Sequence, residues 1–428
     1  MIKNKSAYEN LADRLNRFPQ GAPPTALLFE ILKVLFTEKE ASLVAQLPIK
    51  PFTVEKAASI WKTDIATAQK NLDGLAARAL IVDLERNGTS EYTLPPPMAG
   101  FFEFSMMRIR NDIDQKTLAE LFYQYMNIEK DFIRELFSRG ETTMVKVFVN
   151  ETVLPEDRKI EILDHERASE TIKTASHRGI SLCYCRHKMQ HNGRACRAPL
   201  DICMTFGRTA ASLIKNGFAR EVDVSEGLDQ LARAYDCNLV QCAENVRNDA
   251  AFICNCCGCC CEALIAARTF AFLRPVSTTN FIPDIARSKC SGCGKCVDAC
   301  PIEALALVSA NDPARPKAKT VMLNGDICLG CGVCAKVCPS RAISMLQREQ
   351  RVITPATTVH RSVLMAIERG KLQNLIFDNR ALFSHRALAA MLGAILRLPP
   401  LKQVMASRQM KSVYLDRLLE RYNAGNRS

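Results

Sequence analysis

Cys290-Ser-Gly-Cys293-Gly-Lys-Cys296-Val-Asp-Ala-Cys300-Pro301 and Cys328-Leu-Gly-Cys331-Gly-Val-Cys334-Ala-Lys-Val-Cys338-Pro339 both read C-x2-C-x2-C-x3-C-P. In a cubane [4Fe–4S] cluster each iron holds three sulfides and needs one thiolate. Three closely spaced cysteines wrap three corners, and the fourth cysteine of each run lies on a departing helix that serves the other cluster. The spacing predicts one cluster on Cys290, Cys293, Cys296 and Cys338, and a second on Cys328, Cys331, Cys334 and Cys300. Gly292, Gly294, Gly330 and Gly332 let the backbone turn tightly and bring N–H groups near the sulfides. Zinc ribbons use two-cysteine knuckles, so a threefold C-x2-C-x2-C followed by C-P is poor tetrahedral zinc spacing.

This segment resembles the bacterial two-cluster ferredoxins, with a long polar excursion from Asn311 to Lys319 between its halves. The resemblance implies two short βαβ-like halves related by pseudo-symmetry, and one-electron carriage by each cluster.

Outward from this segment, the chain has 428 residues, a length at which about three domains are expected. An apolar fraction of 48% and a charged fraction of 24% argue against long disorder. All 20 cysteines fall between Cys183 and Cys338. A disulfide scaffold needs a secreted context, but MIKNKSAYENLADRL has no apolar signal core, so the expected location is the cytoplasm and the expected role of reduced thiols is metal binding. No apolar run approaches the ~20 residues needed to cross a bilayer, the longer ones being broken by Arg268, Arg274 and Arg397, so no transmembrane segment is expected. The net charge of +12 is localised: residues 287–428 hold 22 Lys+Arg against 9 Asp+Glu, and the preceding residues hold 35 against 36. A basic third attracts an acidic partner, nucleic acid or an anionic surface.

Two further cysteine groups precede the paired runs. Cys183, Cys185, Cys196 and Cys203 lie among Arg186, His187, Lys188, His191, Arg194 and Arg197. Clustered cations lower thiol pKa values and favour metal binding or thiolate reactivity. A third Fe–S cluster, a zinc ion and free thiols all remain open for these four, and His187 and His191 could join as ligands if the segment were helical. The other group is Cys254, Cys256, Cys257, Cys259, Cys260 and Cys261. Six cysteines in eight residues cannot all bind one small centre, because neighbouring side chains diverge in regular backbone. A polynuclear cluster using three or four of them fits. Cys237 and Cys242 either assist or are buried as small apolar residues, the second being the expected state.

At the N-terminal end, Leu27, Leu28, Ile31, Leu32, Leu35, Leu43 and Leu47 give mostly helical spacing, ended by Pro48 and Pro51. Thr53 and Asp64 are candidate N-caps of two more helices, and Asn87-Gly88 between short apolar runs predicts a hairpin. This is the element order of a winged helix. Residues 25–95 carry 8 Lys+Arg and 9 Asp+Glu, which disfavours DNA binding, since phosphate affinity grows with positive contacts. Leu118, Leu121, Phe122, Tyr125, Ile128, Phe132 and Leu136 form a helical stripe, and helices are also expected over about 157–176 and 352–428. The last stretch is basic, 12 Lys+Arg against 4 Asp+Glu, with Leu364, Ile367, Leu372, Leu375 and Ile376 in one helix and Val413, Leu415, Leu418 and Leu419 in another. The expected fold class is α+β multidomain: a winged-helix-like domain (1–97), a helical linker region (98–178), a Cys-rich domain with possible extra metal centres (179–286), a ferredoxin-like 2×[4Fe–4S] domain (287–350) and a basic C-terminal helical region (351–428).

CYCRHK with its following cysteines, CNCCGCCC, the paired runs and HRSVLMAIERGKLQNLIFDNRALFSHRALA together resemble a group of mostly uncharacterised 4Fe-4S dicluster-domain proteins from anaerobic bacteria and archaea. The resemblance runs from about Thr25 to about Lys402, with Cys242 a departure from the pattern. Only its ferredoxin part implies a defined role, from which an iron–sulfur electron carrier or subunit serving an anaerobic oxidoreductase is expected, and the resemblance supplies no substrate. The chain has no convincing G-x-G-x-x-G after a strand and no G-K-S/T phosphate loop, so flavin, nicotinamide or ATP chemistry is expected in a redox partner docking an acidic face. Two alternatives are a redox- or cluster-sensing winged-helix transcriptional regulator and an enzyme using an extra open-site cluster, for which no catalytic acid or base is identifiable.

Overall fold

The computed structural model describes residues 5–86, 88–138, 140–154, 163–378 and 383–396. The chain divides into two compact units, one made of residues 1–142, 215–218 and 356–428, the other of residues 143–214 and 219–355. One division falls inside the expected linker (98–178), one inside the expected C-terminal region (351–428), and residues 215–218, within the expected Cys-rich domain, belong to the first unit.

The first unit is mainly helical. It opens with α1 (Ala7–Arg17), whose N-cap Ser6 and Glu9 form a reciprocal capping box; the sequence reading did not include this helix. The helical spacing over 25–47 resolves into two helices, α2 (Ala26–Leu35) and α3 (Glu38–Val44). Thr37 and Glu40 form a second capping box, which starts a new helix where apolar spacing alone suggests continuation. Thr53 and Asp64 then precede α4 (Val54–Trp61) and α5 (Ile65–Ala76), and the Asp64 side chain accepts from the Thr67 amide. Strands β1 (Val82–Arg86) and β2 (Thr89–Thr93) pair antiparallel from Val82↔Thr93 to Arg86↔Thr89, and Phe52 bridges to Tyr92. Asn87 lies outside the described residues; Gly88 has φ +75°.

The stripe expected on one helix is split between Gln115–Tyr123 and Asp131–Ser138 by a wide helical turn over Gln124–Ile128. That turn adds a residue to the repeat, so Ile128 rotates out to 56% exposure while Leu118, Phe122, Tyr125, Phe132 and Leu136 stay buried. Phe102 packs between Phe122, Tyr125 and Phe132 with ring centroids 5.0–6.5 Å away. Helices Thr358–Glu368, Leu372–Ile376 and Phe383–Leu396 complete the unit, tied in by Arg369, which donates to the Pro19 and Leu136 carbonyls. The expected helix around Val413–Leu419 and residues 157–162 of the helix expected over about 157–176 lie outside the described residues. Of that second stretch the structure gives Ala168–Thr174.

The second unit is built on a six-stranded antiparallel sheet in the order β3-β7-β8-β5-β4-β6, with β3 Val145–Val147, β4 Arg178–Leu182, β5 Asp201–Phe206, β6 Arg220–Glu221, β7 Val240–Glu244 and β8 Phe252–Cys256. β3 lies in the expected helical linker region, between its two expected helical stretches. Side chains alternate along a strand. One face carries Ile180, Met204, Phe206, Ala243 and Ile253, which form an apolar core with Ile172, Leu231 and Tyr235 from helices Ala168–Thr174 and Val224–Asp236. The alternate residues Cys203, Cys242, Cys254 and Cys256 therefore share the opposite face. The F-I-C-N-C run is a strand with thiols on one side.

The paired cysteine runs follow in the same unit as two halves. The first is β9 (Phe281–Ile285), helix Lys295–Asp298 and β10 (Leu305–Ser309); the second is β11 (Lys319–Leu323), helix Val333–Lys336 and β12 (Ile343–Gln347). Every bound repeats after 38 residues, as Cys290 does at Cys328. Each half has the strand–helix–strand order, but its strands pair across the repeat, β9 with β12 and β10 with β11, both antiparallel. The polar excursion turns on Asp312, whose side chain accepts from the Ala314 amide and Arg315.

The symmetry extends to backbone packing. A Cβ on Gly330 would lie 2.1 Å from the Phe281 carbonyl oxygen, and one on Gly292 would lie 2.3 Å from that of Lys319, the residue related to Phe281 by the repeat. Both glycines have positive φ, +71° and +66°. Left-handed backbone costs an L-residue roughly 1–2 kcal/mol and overpacking adds roughly 1–3, so Gly330→Ala is expected to destabilise the protein by about 2–5 kcal/mol. Gly294→Ala, with φ +80° but only a Leu307 methyl nearby at 3.2 Å, is expected to cost less than half as much. Anaerobic thermal unfolding checks the pair; equal losses would mean that the carbonyl contact is unimportant.

Candidate metal centres

Two cavities flank the repeat. One is lined by Cys300, Cys328, Cys331 and Cys334 with Pro301, Ile302, Leu305, Leu323 and Leu329. The other is lined by Cys290, Cys293, Cys296 and Cys338 with Ile285, Val321 and Ile343. The fourth cysteine of each run thus borders the cavity of the other run. The local cause is the same in both halves: the helix that carries the third cysteine is a single turn, and the chain two residues past its end places Cys300 or Cys338 across an apolar seam of Cys296, Cys334, Leu305, Val321 and Ile343. Backbone amides point at sulfur, from Ala304 to Cys300 Sγ at 3.2 Å, from Ala342 to Cys338 Sγ at 3.3 Å and from Gly330 to Cys328 Sγ at 3.4 Å.

The donor set suits a [4Fe–4S] group: four thiols, apolar walls and N–H donors aimed at sulfur. Asn150 adds a further donor beside the first cavity. Its amide N–H donates to the Cys331 carbonyl, its Cβ lies 3.5 Å from where a Cβ on Gly332 would be, and its Nδ2 is buried without a hydrogen-bond partner.

The two cavities differ in polarity. Burial pushes the Cys331 thiol up to about 12 and raises those of Cys334 and Cys328 as well. In the other cavity burial raises Cys296, but Cys293 is exposed and is held below the usual thiol range by the Lys295 amide.

The remaining cysteines do not group as their order in the chain suggests. Cys183, Cys185, Cys196 and Cys203 are not one cage. They are recruited to different neighbours because the sheet brings β5, β7 and β8 together and the helices enter from its end. On the cysteine face of the sheet the free thiols lie within hydrogen-bonding reach in series, Cys183 of Cys203, Cys203 of Cys254 and Cys254 of Cys256. Cys242 and Cys256 bond each other and both bond Cys261, which is also bonded by Cys185. Cys185 sits in the first turn of helix Tyr184–His191 and Cys261 caps helix Glu262–Thr269. Hydrogen bonds from Cys185, Cys242 and Cys256 hold the Cys261 thiol well below its ordinary range.

Cys196, Cys257, Cys259 and Cys260 form a separate group with all four sulfurs within 4.8 Å of one another. A hydrogen bond from Cys260, reinforced by Arg186, pulls the Cys257 thiol down to about 4. Cys237, expected to be buried, is exposed, because it follows the end of helix Val224–Asp236 at the surface. Cys242 is buried on β7, as expected, but among thiol partners rather than apolar side chains alone.

Arg186 is fully buried; it donates to the Pro199 and Asn255 carbonyls and lies beside Cys183, Cys203 and Cys257. Lys188 and Glu262 pair with their side chains at 0% and 1% exposure. The segment carrying His187 and His191 is helical, and their Nε2 atoms lie 3.2 Å apart.

Comparison with protein families matches residues 289–342 to a 4Fe-4S dicluster domain. This part of the chain is therefore a ferredoxin-type, metal-binding iron–sulfur domain. No curated protein and no solved structure matches the chain. Among the described residues no helix is long and apolar enough to cross a membrane.

Proposed function

We propose that the protein relays single electrons through two [4Fe–4S] clusters, one on Cys290, Cys293, Cys296 and Cys338 and one on Cys300, Cys328, Cys331 and Cys334. The observation that supports it is the crossed lining of the two cavities. Each cluster, when bound, takes up one electron spread over several iron and sulfur atoms. The chain's part is to hold eight thiolates and to set the two potentials. Amides aimed at Cys300, Cys328 and Cys338 favour the more negative reduced state, while apolar burial opposes it.

Cys293 is exposed, so the cluster beside it is the one that exchanges electrons with a protein partner and the one with the higher potential. The more buried site on Cys328–Cys334 is the low-potential end. Redox chemistry beyond one-electron transfer, such as that of a flavin, is assigned to the partner.

We read residues 53–93 as a winged helix used for packing rather than for DNA. Its α5 carries one lysine, Lys70, against one aspartate, Asp73, which offers no excess charge to phosphate.

Anaerobically purified protein should contain at least about eight acid-labile sulfides per chain. On reduction it should show paramagnetic signals from two interacting clusters, with two separate midpoints in a redox titration. Protein free of sulfide, or with zinc in these cages, would sink the proposal.

A further inference from the structure

The tetrad Cys196, Cys257, Cys259 and Cys260 differs in scale from the two ferredoxin cavities. Its sulfurs approach at 3.5 Å (Cys196 to Cys257), 3.6 Å (Cys259 to Cys260) and 4.0 Å (Cys260 to Cys196), and all four lie within 4.8 Å of one another. Among the described residues it is the one group of three or more potential ligands that converges so closely. Four thiolates around a single tetrahedral ion with bonds of ≈ 2.3 Å are about 3.8 Å apart. A cubane binds its four thiolates to four different irons and holds them wider, and among the described residues neither ferredoxin set of four converges within 4.8 Å.

We propose that Cys196, Cys257, Cys259 and Cys260 hold one thiophilic metal ion, zinc or iron, without inorganic sulfide. The backbone makes the unusual spacing workable. Cys257 follows the end of β8, and Gly258, Cys259 and Cys260 form a turn, so adjacent cysteines are freed from the divergence that regular structure imposes. Cys196 arrives from the loop before β5, 61 residues earlier in the chain. The ion would therefore close a long loop by joining two irregular segments, which is the work of a structural site.

Four thiolates on a divalent ion leave a net charge of −2, and cations are in place to balance it. Arg186 bonds Cys257, and Arg197 and Arg268 line the groove onto which the tetrad opens. That groove gives the ion an entry path. The turn also packs on the ferredoxin segment: a Cβ on Gly258 would lie 2.4 Å from the Pro301 carbonyl oxygen, beside Cys300. The ion would thereby brace one wall of the neighbouring cluster site.

The test compares metals with acid-labile sulfide in the anaerobically purified full chain. Iron in cubanes equals sulfide, so the expected result is one extra ion per chain, read as zinc or as iron in excess of sulfide. Cys257→Ser and Cys260→Ser should each remove that ion and leave sulfide unchanged. Zinc-free protein with iron equal to sulfide would overturn the proposal, as would variants that shed iron and sulfide in equal numbers. Should the variants fail to fold, mapped alkylation of the unaltered chain decides. The exposed Cys259 should resist alkylation until a chelator is added; prompt alkylation in metal-loaded protein would show that the thiols are free. Because the count concerns metal without sulfide, it is independent of whether the two-cluster relay holds.

Discussion

Cys300→Ala is expected to remove the cluster of the downstream run, Cys328–Cys334, and to spare the cluster of its own run. Cys338→Ala should do the reverse. The argument is geometric: Cys300 borders the cavity of Cys328, Cys331 and Cys334, and Cys338 borders that of Cys290, Cys293 and Cys296. Each substitution should cost about four irons and four sulfides per chain. The residual paramagnetic signal identifies which cluster was lost. Cys300→Ala should match Cys334→Ala, and Cys338→Ala should match Cys296→Ala; the opposite match would mean that each run ligates its own cluster. The amides of Ala304 and Ala342 donate to the two crossing sulfurs, so their alignment depends on the thiolates that would be removed. If loss of the buried cluster loosens the apolar seam, the other midpoint will shift by a few tens of millivolts, since about 1.4 kcal/mol corresponds to 59 mV for one electron.

The ferredoxin segment was legible in the sequence because its ligands are local. Three cysteines of each run sit within one loop, and a repeated spacing states the symmetry before any contact is known. The other cysteines were not legible, because their partners are set by strand pairing. Cys203, Cys242 and Cys254 meet only when β7, β8 and β5 align side by side, with Cys242 directly opposite Cys254. Chain order suggested grouping Cys196 with Cys183, Cys185 and Cys203, whereas the loop carries it to Cys257. One signal was available: Phe252, Cys254 and Cys256 alternate with Ile253 and Asn255, which marks a strand with thiols on one face. In the N-terminal unit the missed break before α3 had a local signature too, Thr37-x-x-Glu40, which apolar periodicity obscured.

Breaking the buried Lys188–Glu262 pair is expected to be among the most damaging changes in the second unit. The two side chains are at 0% and 1% exposure, and they join helix Tyr184–His191 to helix Glu262–Thr269 at the ends that present Cys185 and Cys261. Lys188→Met would leave the Glu262 carboxylate buried without its ammonium, and loss of one partner of a buried pair costs roughly 3–5 kcal/mol. Glu262→Met should cost a similar amount for the opposite charge. The double variant should recover most of the loss, because two apolar side chains of similar volume need no desolvation, and the measured coupling should be on the order of 3 kcal/mol. Anaerobic denaturant unfolding of the four proteins reads this directly. Additive losses would mean that the pair is not the contact joining the helices. Glu262 also helps to raise the Cys185 thiol, after the larger effects of its hydrogen bond to Cys261 and of burial. The double variant, assayed without denaturant so that both helices stay folded, should therefore alkylate faster at Cys185 than the unaltered protein, which separates the pair's electrostatic effect on the thiol from its effect on stability.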